Sequence, residues 1–391
     1  MRCPPVVPAL AAALLACAVA APLAAQQAPE SGAFLVRLGT DTVAAERFTR
    51  SATRLEGELV TRSPRTSYRR YAADFGLNGS VTRFEVSIPR PGAPADAPPL
   101  QSAVATFAGD SIHLEIRRGD SLQTMAIAAG LGTMPLLGGA YAPYELLTMR
   151  SRQARRDSVI VLTYPVGGRA VSSIAIRRLG RDSVLLLTPS ATFRVSLDRE
   201  GRILGLRAPG TTSQVELERL SALDVPGLAA TWAARDAEGQ GMGTLSPRDT
   251  LRAVVTGDSL LVDYGRPRKR GREIYGNVVP WGQVWRTGAN AATQFRTQRT
   301  LAFNGLTVPA GTYTLWTLPT ASGWQLIINR QTGQWGTEYH AEQDLGRVPM
   351  GVSSVGDPVE AFTIAIEPQG AGGLLVLTWD RTRVQVPFTV R

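Results

Sequence analysis

The sequence predicts a mainly β protein: a large antiparallel sheet domain, curved or half-barrel-like, followed by a C-terminal β-sandwich or jelly-roll-like domain. Three observations predict it. Apolar and polar residues alternate with period two along much of the chain. Turn residues separate these runs, with 39 Gly and 26 Pro among 391 residues. One Gly-rich stretch of low apolar content, residues 236–247, interrupts the pattern and reads as a linker between domains 26–235 and 248–391. The length itself suggests two domains at roughly 100–200 residues each.

Residues 1–25 read as a secretory signal peptide. Arg2 is the only charge before Glu30, an apolar Ala-rich run follows from Val6, and Ala24-Ala25 precede Gln26-Gln27. These are the charged, apolar and small-residue regions of a cleaved leader, with cleavage expected after Ala25. A lipoprotein anchored at Cys17 is the lesser alternative, because Leu15 and the apolar residues 18–25 suit a lipidation signal poorly. Both cysteines, Cys3 and Cys17, fall in this leader, so a processed chain has neither disulfide nor thiolate. No later segment reaches the 18 or so apolar residues that a membrane-spanning helix needs.

In the N-terminal domain, Phe84, Val86 and Ile88 alternate with Arg83, Glu85 and Ser87. Ile112, Leu114 and Ile116 alternate with His113, Glu115 and Arg117, and Val195 and Leu197 with Arg194 and Ser196. Such strands bury one face and wet the other, as antiparallel sheets do. Asn78-Gly79 predicts a tight hairpin in which both central residues take positive φ. Asp-Ser followed by an aliphatic recurs at Asp110, Asp120, Asp157, Asp182 and Asp258, and reads as a turn that opens the next strand. Helices are expected at residues 144–154 and, after an early Pro226, at 226–235.

Beyond the linker, alternation resumes through Leu260, Val262 and Tyr264, through Trp324, Leu326 and Ile328, and through Val384, Val386, Phe388 and Val390. Eight or nine short strands in some 145 residues without a clear helix predict a sandwich or barrel.

This second domain carries specific motifs. They are Asp263-Tyr264-Gly265-Arg266-Pro267, Gly271-Arg272-Glu273-Ile274-Tyr275-Gly276 and Val279-Pro280-Trp281-Gly282-Gln283-Val284-Trp285-Arg286-Thr287-Gly288-Ala289-Asn290. Pro309-Ala310-Gly311-Thr312-Tyr313, Gly333-Gln334-Trp335-Gly336 and Pro358-Val359-Glu360-Ala361-Phe362-Thr363 follow in order. With these, residues 246–391 resemble a bacterial family known as domain of unknown function 2911. The resemblance implies an exported protein with a compact β domain and transfers no activity or catalytic residue. Residues 26–235 are similar only in shape to the curved sheets of periplasmic lipoprotein carriers.

Composition excludes several functions. The formal net charge is +10, carried almost wholly by Arg, since Lys269 is the only lysine. Export argues against a nucleic-acid partner and leaves peripheral contact with anionic envelope polymers open. The chain has two histidines, His113 and His340, in different domains and outside any ligand spacing, so no metal site is expected. There is no nucleophile elbow and no dinucleotide-binding fingerprint, so neither catalytic residues nor a cofactor are assigned.

One segment departs from alternation. Residues 266–272 hold five basic side chains and lead into Trp281, Trp285, Arg286, Thr287 and Asn290. Aromatic faces, an Arg fork and an amide suit a small polar ligand or glycan. Arg266, Trp281, Arg286 and Asn290 are therefore the candidate ligand residues. In the competing reading the Trp side chains fill core, Arg286 pairs with an internal acid and Asn290 closes a turn. The leading expectation is a periplasmic or secreted, non-catalytic binding or scaffold protein. A hydrolase of envelope carbohydrates or esters is the first alternative, and a carrier of an apolar ligand on the N-terminal sheet the second.

Overall fold

A computed structural model describes residues 28–90, 92–94, 97–154, 156–189, 191–208 and 214–391; the expected leader and both cysteines lie outside the described residues. The chain is mainly β, as the alternation predicts. The N-terminal part contains β1 Glu30–Leu38, β2 Asp41–Arg50, β3 Arg54–Thr61, β4 Ser67–Phe75, β5 Val81–Ile88, β6 Gln101–Ala108, β7 Ser111–Arg118, β8 Ser121–Ala128 and β9 Met134–Leu136. Helix α1 Ala142–Gln153 follows, then β10 Ser158–Pro165, β11 Ser172–Arg178, β12 Ser183–Leu187, β13 Thr192–Leu197, β14 Ile203–Arg207 and β15 Val215–Leu220, and helix α2 Val225–Ala237. The strand order is β8-β7-β6-β5-β4-β3-β2-β1-β15-β14-β13-β12-β11-β10-β9. Each neighbour pair is antiparallel except β9 with β10.

Alternation sets the two faces. Ile112 and Leu114 are buried while His113 and Glu115 are exposed. All five Asp-Ser motifs stand at the start of a strand: β7, β8, β10, β12 and β17 (Asp258–Gly265). At three of them the turn itself is made by a preceding glycine of positive φ: Gly109 (+59°), Gly119 (+54°) and Gly257 (+89°). The Asn78-Gly79 hairpin differs from expectation. Only Gly79 takes a positive φ, +74°, and the loop is wider. Asn78 Oδ1 accepts the Ser80 amide at 3.0 Å, adding a side-chain bond to the backbone bonds between Gly76 and Ser80 and between Gly79 and Gly76 that close the turn. Both expected helices are present with ends shifted by one or two residues, and the expected linker begins inside the last turns of α2.

The sheet curls, bringing β9, at one end of the strand order, against β5, the fourth strand from the other end. Its inner side is one apolar core shared by Phe34, Phe48, Phe84, Leu114, Ile176 and Leu206. Helix α1 lies in this core through Ala142, Leu146 and Leu147. No side chain of its own caps α1, so its first amides need outside acceptors. Glu46 of β2 supplies them: its carboxylate accepts the Tyr141 amide at 2.5 Å, the Ala142 amide at 3.2 Å and the Tyr71 hydroxyl. Gly57 permits the last contact, because a Cβ there would stand 2.4 Å from the Tyr71 oxygen. One turn along, Glu145 accepts Arg50 at 3.0 Å, the Ile203 amide at 2.8 Å and Arg219.

Helix α2 covers part of the outer face. Asp224 caps it by accepting the Gly227 amide at 3.0 Å. Val225, Ala229 and Trp232, spaced four and three apart, pack on Ala45 and Val60.

The C-terminal part has β16 Arg248–Val255, β17, β18 Thr293–Thr297, β19 Leu301–Phe303, β20 Leu306–Val308, β21 Gly311–Thr320, β22 Gly323–Asn329, β23 Asp344–Gln369 and β24 Gly372–Val390. Two of these nine strands are long, against the expected run of short ones. β23 explains this: its residues 344–350 pair with β22, and 351–354, 359 and 363–369 with β24. It crosses from one layer to the other, so a single strand serves both halves of the sandwich. Leu315, Leu326 and Ile328 meet Phe303, Trp379 and Phe388 between the layers.

Burial raises the Glu46 carboxyl to about 7 and pushes Glu145 up as well. A carboxyl with a raised folded value binds a proton that the unfolded chain has already lost. Stability should therefore fall as pH rises from about 4.5 to about 7, by roughly 3 kcal/mol at most for Glu46. Melting temperatures at pH 5.5 and pH 8 should differ in that sense, and Glu46→Gln should shrink the difference. A variant with the full pH dependence would show that another group titrates.

Candidate functional site

The candidate residues lie on the long connection between β17 and β18, which runs over the C-terminal sandwich. Backbone bonds fix its course: Trp285 exchanges both amide–carbonyl bonds with Thr317, and Gly282 donates to Pro319. Thr287 and Asn290 take left-handed backbone, φ +53° and +63°, and Gly288 lies between them. Below, hydroxyls join the connection to the sheet. Thr287 Oγ1 donates to Thr317 Oγ1 at 3.2 Å, and Thr293 Oγ1 to the Thr287 carbonyl at 2.6 Å. All three threonines are buried.

The four residues do not form one cluster of contacts. Arg266 is held by Asp249 at 3.1 Å, Thr363 at 3.1 Å and the Phe362 carbonyl at 3.2 Å. Trp281 is 45% exposed and stands beside Tyr275, with ring centres 5.9 Å apart. Arg286 and Asn290 do meet: Nη1 of Arg286 donates to the Asn290 carbonyl at 3.3 Å. Trp285 belongs to the core, stacked on Trp379 at 6.1 Å, as the competing reading expects.

Arg286 follows neither reading fully. It is only 9% exposed, yet it forms no ion pair among the described residues. Its Nε has no hydrogen-bond partner, and burial pushes the guanidinium down. Gly336 packs against it so closely that an added Cβ would stand 2.2 Å from Arg286 Cδ. Nearby Gln334 is buried with Oε1 unpaired, while Trp335 is 44% exposed. Buried polar groups without partners are uncommon in folded proteins, and this one lies where two loops meet.

Glu338, Glu342 and Asp344, close to Trp335 in sequence, have local partners. Glu338 accepts the Trp335 amide at 3.4 Å, Glu342 faces His340, and Asp344 accepts Asn329, Tyr339 and Arg347.

Residues 246–388 match a family model described as "Protein of unknown function (DUF2911)". The candidate connection lies wholly inside the DUF2911 stretch, whereas the residues before it have no family assignment. Among solved structures, a DUF1089 family protein of Pseudomonas aeruginosa is 13% identical with a TM-score of 0.31, covering 43% of this chain and 90% of that one. A β-barrel-like DUF1849 protein of Brucella abortus is 9% identical with a TM-score of 0.33, covering 49% and 95%. The comparison with curated proteins returned no match.

The basic run at the start of this connection has a role that the sequence did not disclose. Arg270 is buried and pairs with Asp41 at the β1–β2 turn, and its carbonyl accepts the Thr40 amide at 3.0 Å. Lys269 pairs with Asp380 at 2.5 Å. Gly39 and Gly271 make the approach possible: a Cβ on Gly39 would stand 2.0 Å from the Arg270 carbonyl oxygen. The run thus joins the two parts of the chain. Only Asp41, some 230 residues away, completes the pair, and no local pattern marks it. Asp41→Ala should destabilise the full chain by about 1–3 kcal/mol by stranding a buried donor, while Asp41→Asn, which keeps an acceptor, should cost less. Equal and negligible shifts in both melts would remove this contact from the account.

Proposed function

We propose that the protein is an exported envelope protein, processed after Ala25, that binds a polar ligand without catalysing a reaction. Its domains would be residues 26–235 and 248–391, joined by 236–247. Export is supported by the apolar leader with Arg2 as its single charge. No helix among the described residues is long and apolar enough to cross a membrane.

The observation that carries the binding reading is Arg286, a buried guanidinium with no carboxylate partner among the described residues. An uncompensated buried charge costs several kcal/mol, and an anionic group bonded to it removes much of that cost. One edge of the guanidinium supports this reading. Nη1 is engaged by the Asn290 carbonyl, while Nε is unpaired on the edge it shares with Nη2. That edge is the one that grips a carboxylate or phosphate through two parallel hydrogen bonds. Trp335 would offer an aromatic wall beside it. Trp281 would contribute only if a ligand extended along the connection, and Arg266, already held by Asp249, would serve the frame.

Arg286→Met decides the matter. In sodium chloride alone, the variant should melt within a few degrees of wild type or above it, since no ion pair is lost. Acetate or phosphate at equal ionic strength should stabilise wild type and leave the variant unmoved. A large drop for the variant without any added anion would assign Arg286 a structural role instead.

A further inference from the structure

We propose that the outer face of β2–β6 is a second binding site, suited to a neutral, hydroxyl-rich ligand such as a short glycan. This site lies in the N-terminal part and is independent of Arg286. The inner face is occupied by α1 through Ala142, Leu146 and Leu147. The outer face is open beyond the edge of α2, and it holds a hollow of about 860 Å³. That is within the range of about 300–1,000 Å³ usual for small-molecule sites.

Strand pairing explains why the hollow exists. One row across the sheet reads Thr49, Glu56, Ala72, Glu85 and Val104. The next reads Arg47, Glu58, Arg70, Ser87 and Ser102. Short side chains at Ala72, Ser87 and Ser102 leave a trough, and longer Arg and Glu side chains stand around it. Residues 221–223, just before α2, form one wall.

The charges select the ligand class. Arg47, Arg54 and Arg70 are matched by Glu56, Glu58 and Glu85 within the lining. Arg47 pairs with Glu58, and Arg54 reaches Glu56 at 3.2 Å and Glu85 at 3.5 Å. The trough therefore has no net charge to attract an anion. None of the large, exposed apolar side chains lies in it, so it offers little to a lipid. It does present planar donors and planar acceptors side by side. Arg54 is engaged through all three nitrogens, by Glu56, Asp74 and Glu85, whereas Arg70 bonds through Nε alone and is 42% exposed, and Glu56 is 58% exposed, so Arg70 and Glu56 are the groups with hydrogen-bonding capacity left for a ligand. Adjacent hydroxyls on a sugar ring, each both donor and acceptor, are complementary to that pattern.

The test is titration calorimetry on the full chain with maltotetraose, cellotetraose and chitotetraose, with polygalacturonate as the charged comparator. At least one neutral tetrasaccharide should bind saturably, and polygalacturonate more weakly. Ser102→Trp, which fills the trough from an outer-face position, should weaken binding at least tenfold. Ser87→Trp is the second variant, used if the first melts abnormally. Failure of all three neutral glycans to bind, stronger binding of polygalacturonate, or unchanged binding in a folded Trp variant would each overturn the proposal.

Discussion

The N-terminal part depends on keeping the inside of a curled sheet full. A sheet of fifteen strands that bends on itself must bury its concave side, and here the chain buries it with its own helix. That solution brings a polar problem indoors, because the first amides of α1 and nearby strand amides lose water. Glu46 and Glu145 answer it. Each is fully buried, and each accepts several donors that would otherwise be unpaired. Glu145 also gathers Arg50 and Arg219, which in turn reach Glu30 at the start of β1. The two carboxylates thus tie α1 to β1, β2, β14 and β15 at once. The cost is that two acids sit in a place that favours their neutral forms.

With α1 packed on the inside, the outer face is the one this part leaves to solvent. α2 takes one portion through Trp232 and its neighbours, and the polar trough occupies the adjacent strands. In the C-terminal sandwich the logic differs. There the core lies between layers, and the long connection lies over one layer on a bed of buried threonines. Trp285 enters the core as an anchor, and Arg286, next in sequence, turns into the polar interface between loops. The strained residues Thr287 and Asn290 make that change of direction possible within a few residues.

Much of this was legible in the sequence. Alternation placed the strands and assigned faces, as at Ile112, His113 and Leu114. The Asp-Ser repeats marked strand starts, and an early proline marked α2. The specific motifs marked the C-terminal family. Local patterns could not show what long-range pairing decides. Glu46 and Glu145 carry no local mark of their roles, because nothing nearby in sequence tells that a helix will arrive over one and lie inside the sheet with the other. Arg270 sat in a basic run that suggested a ligand, and only the fold brings Asp41 to it. Arg286 was singled out for its company of aromatic and amide residues, yet its lack of an ion pair among the described residues is a fact of three dimensions. The long β23 was read as shorter strands because its faces exchange where it changes layer.

The central claim is that α1 is an integral part of the N-terminal core, held by two buried carboxylates. Amide hydrogen exchange on the full chain measures it most directly. The amides of residues 145–153 should exchange as slowly as those of β2 and β3, because releasing the helix would empty the core. Exchange of α1 well ahead of those strands would mean that the helix leaves while the sheet stays folded, and would contradict the account.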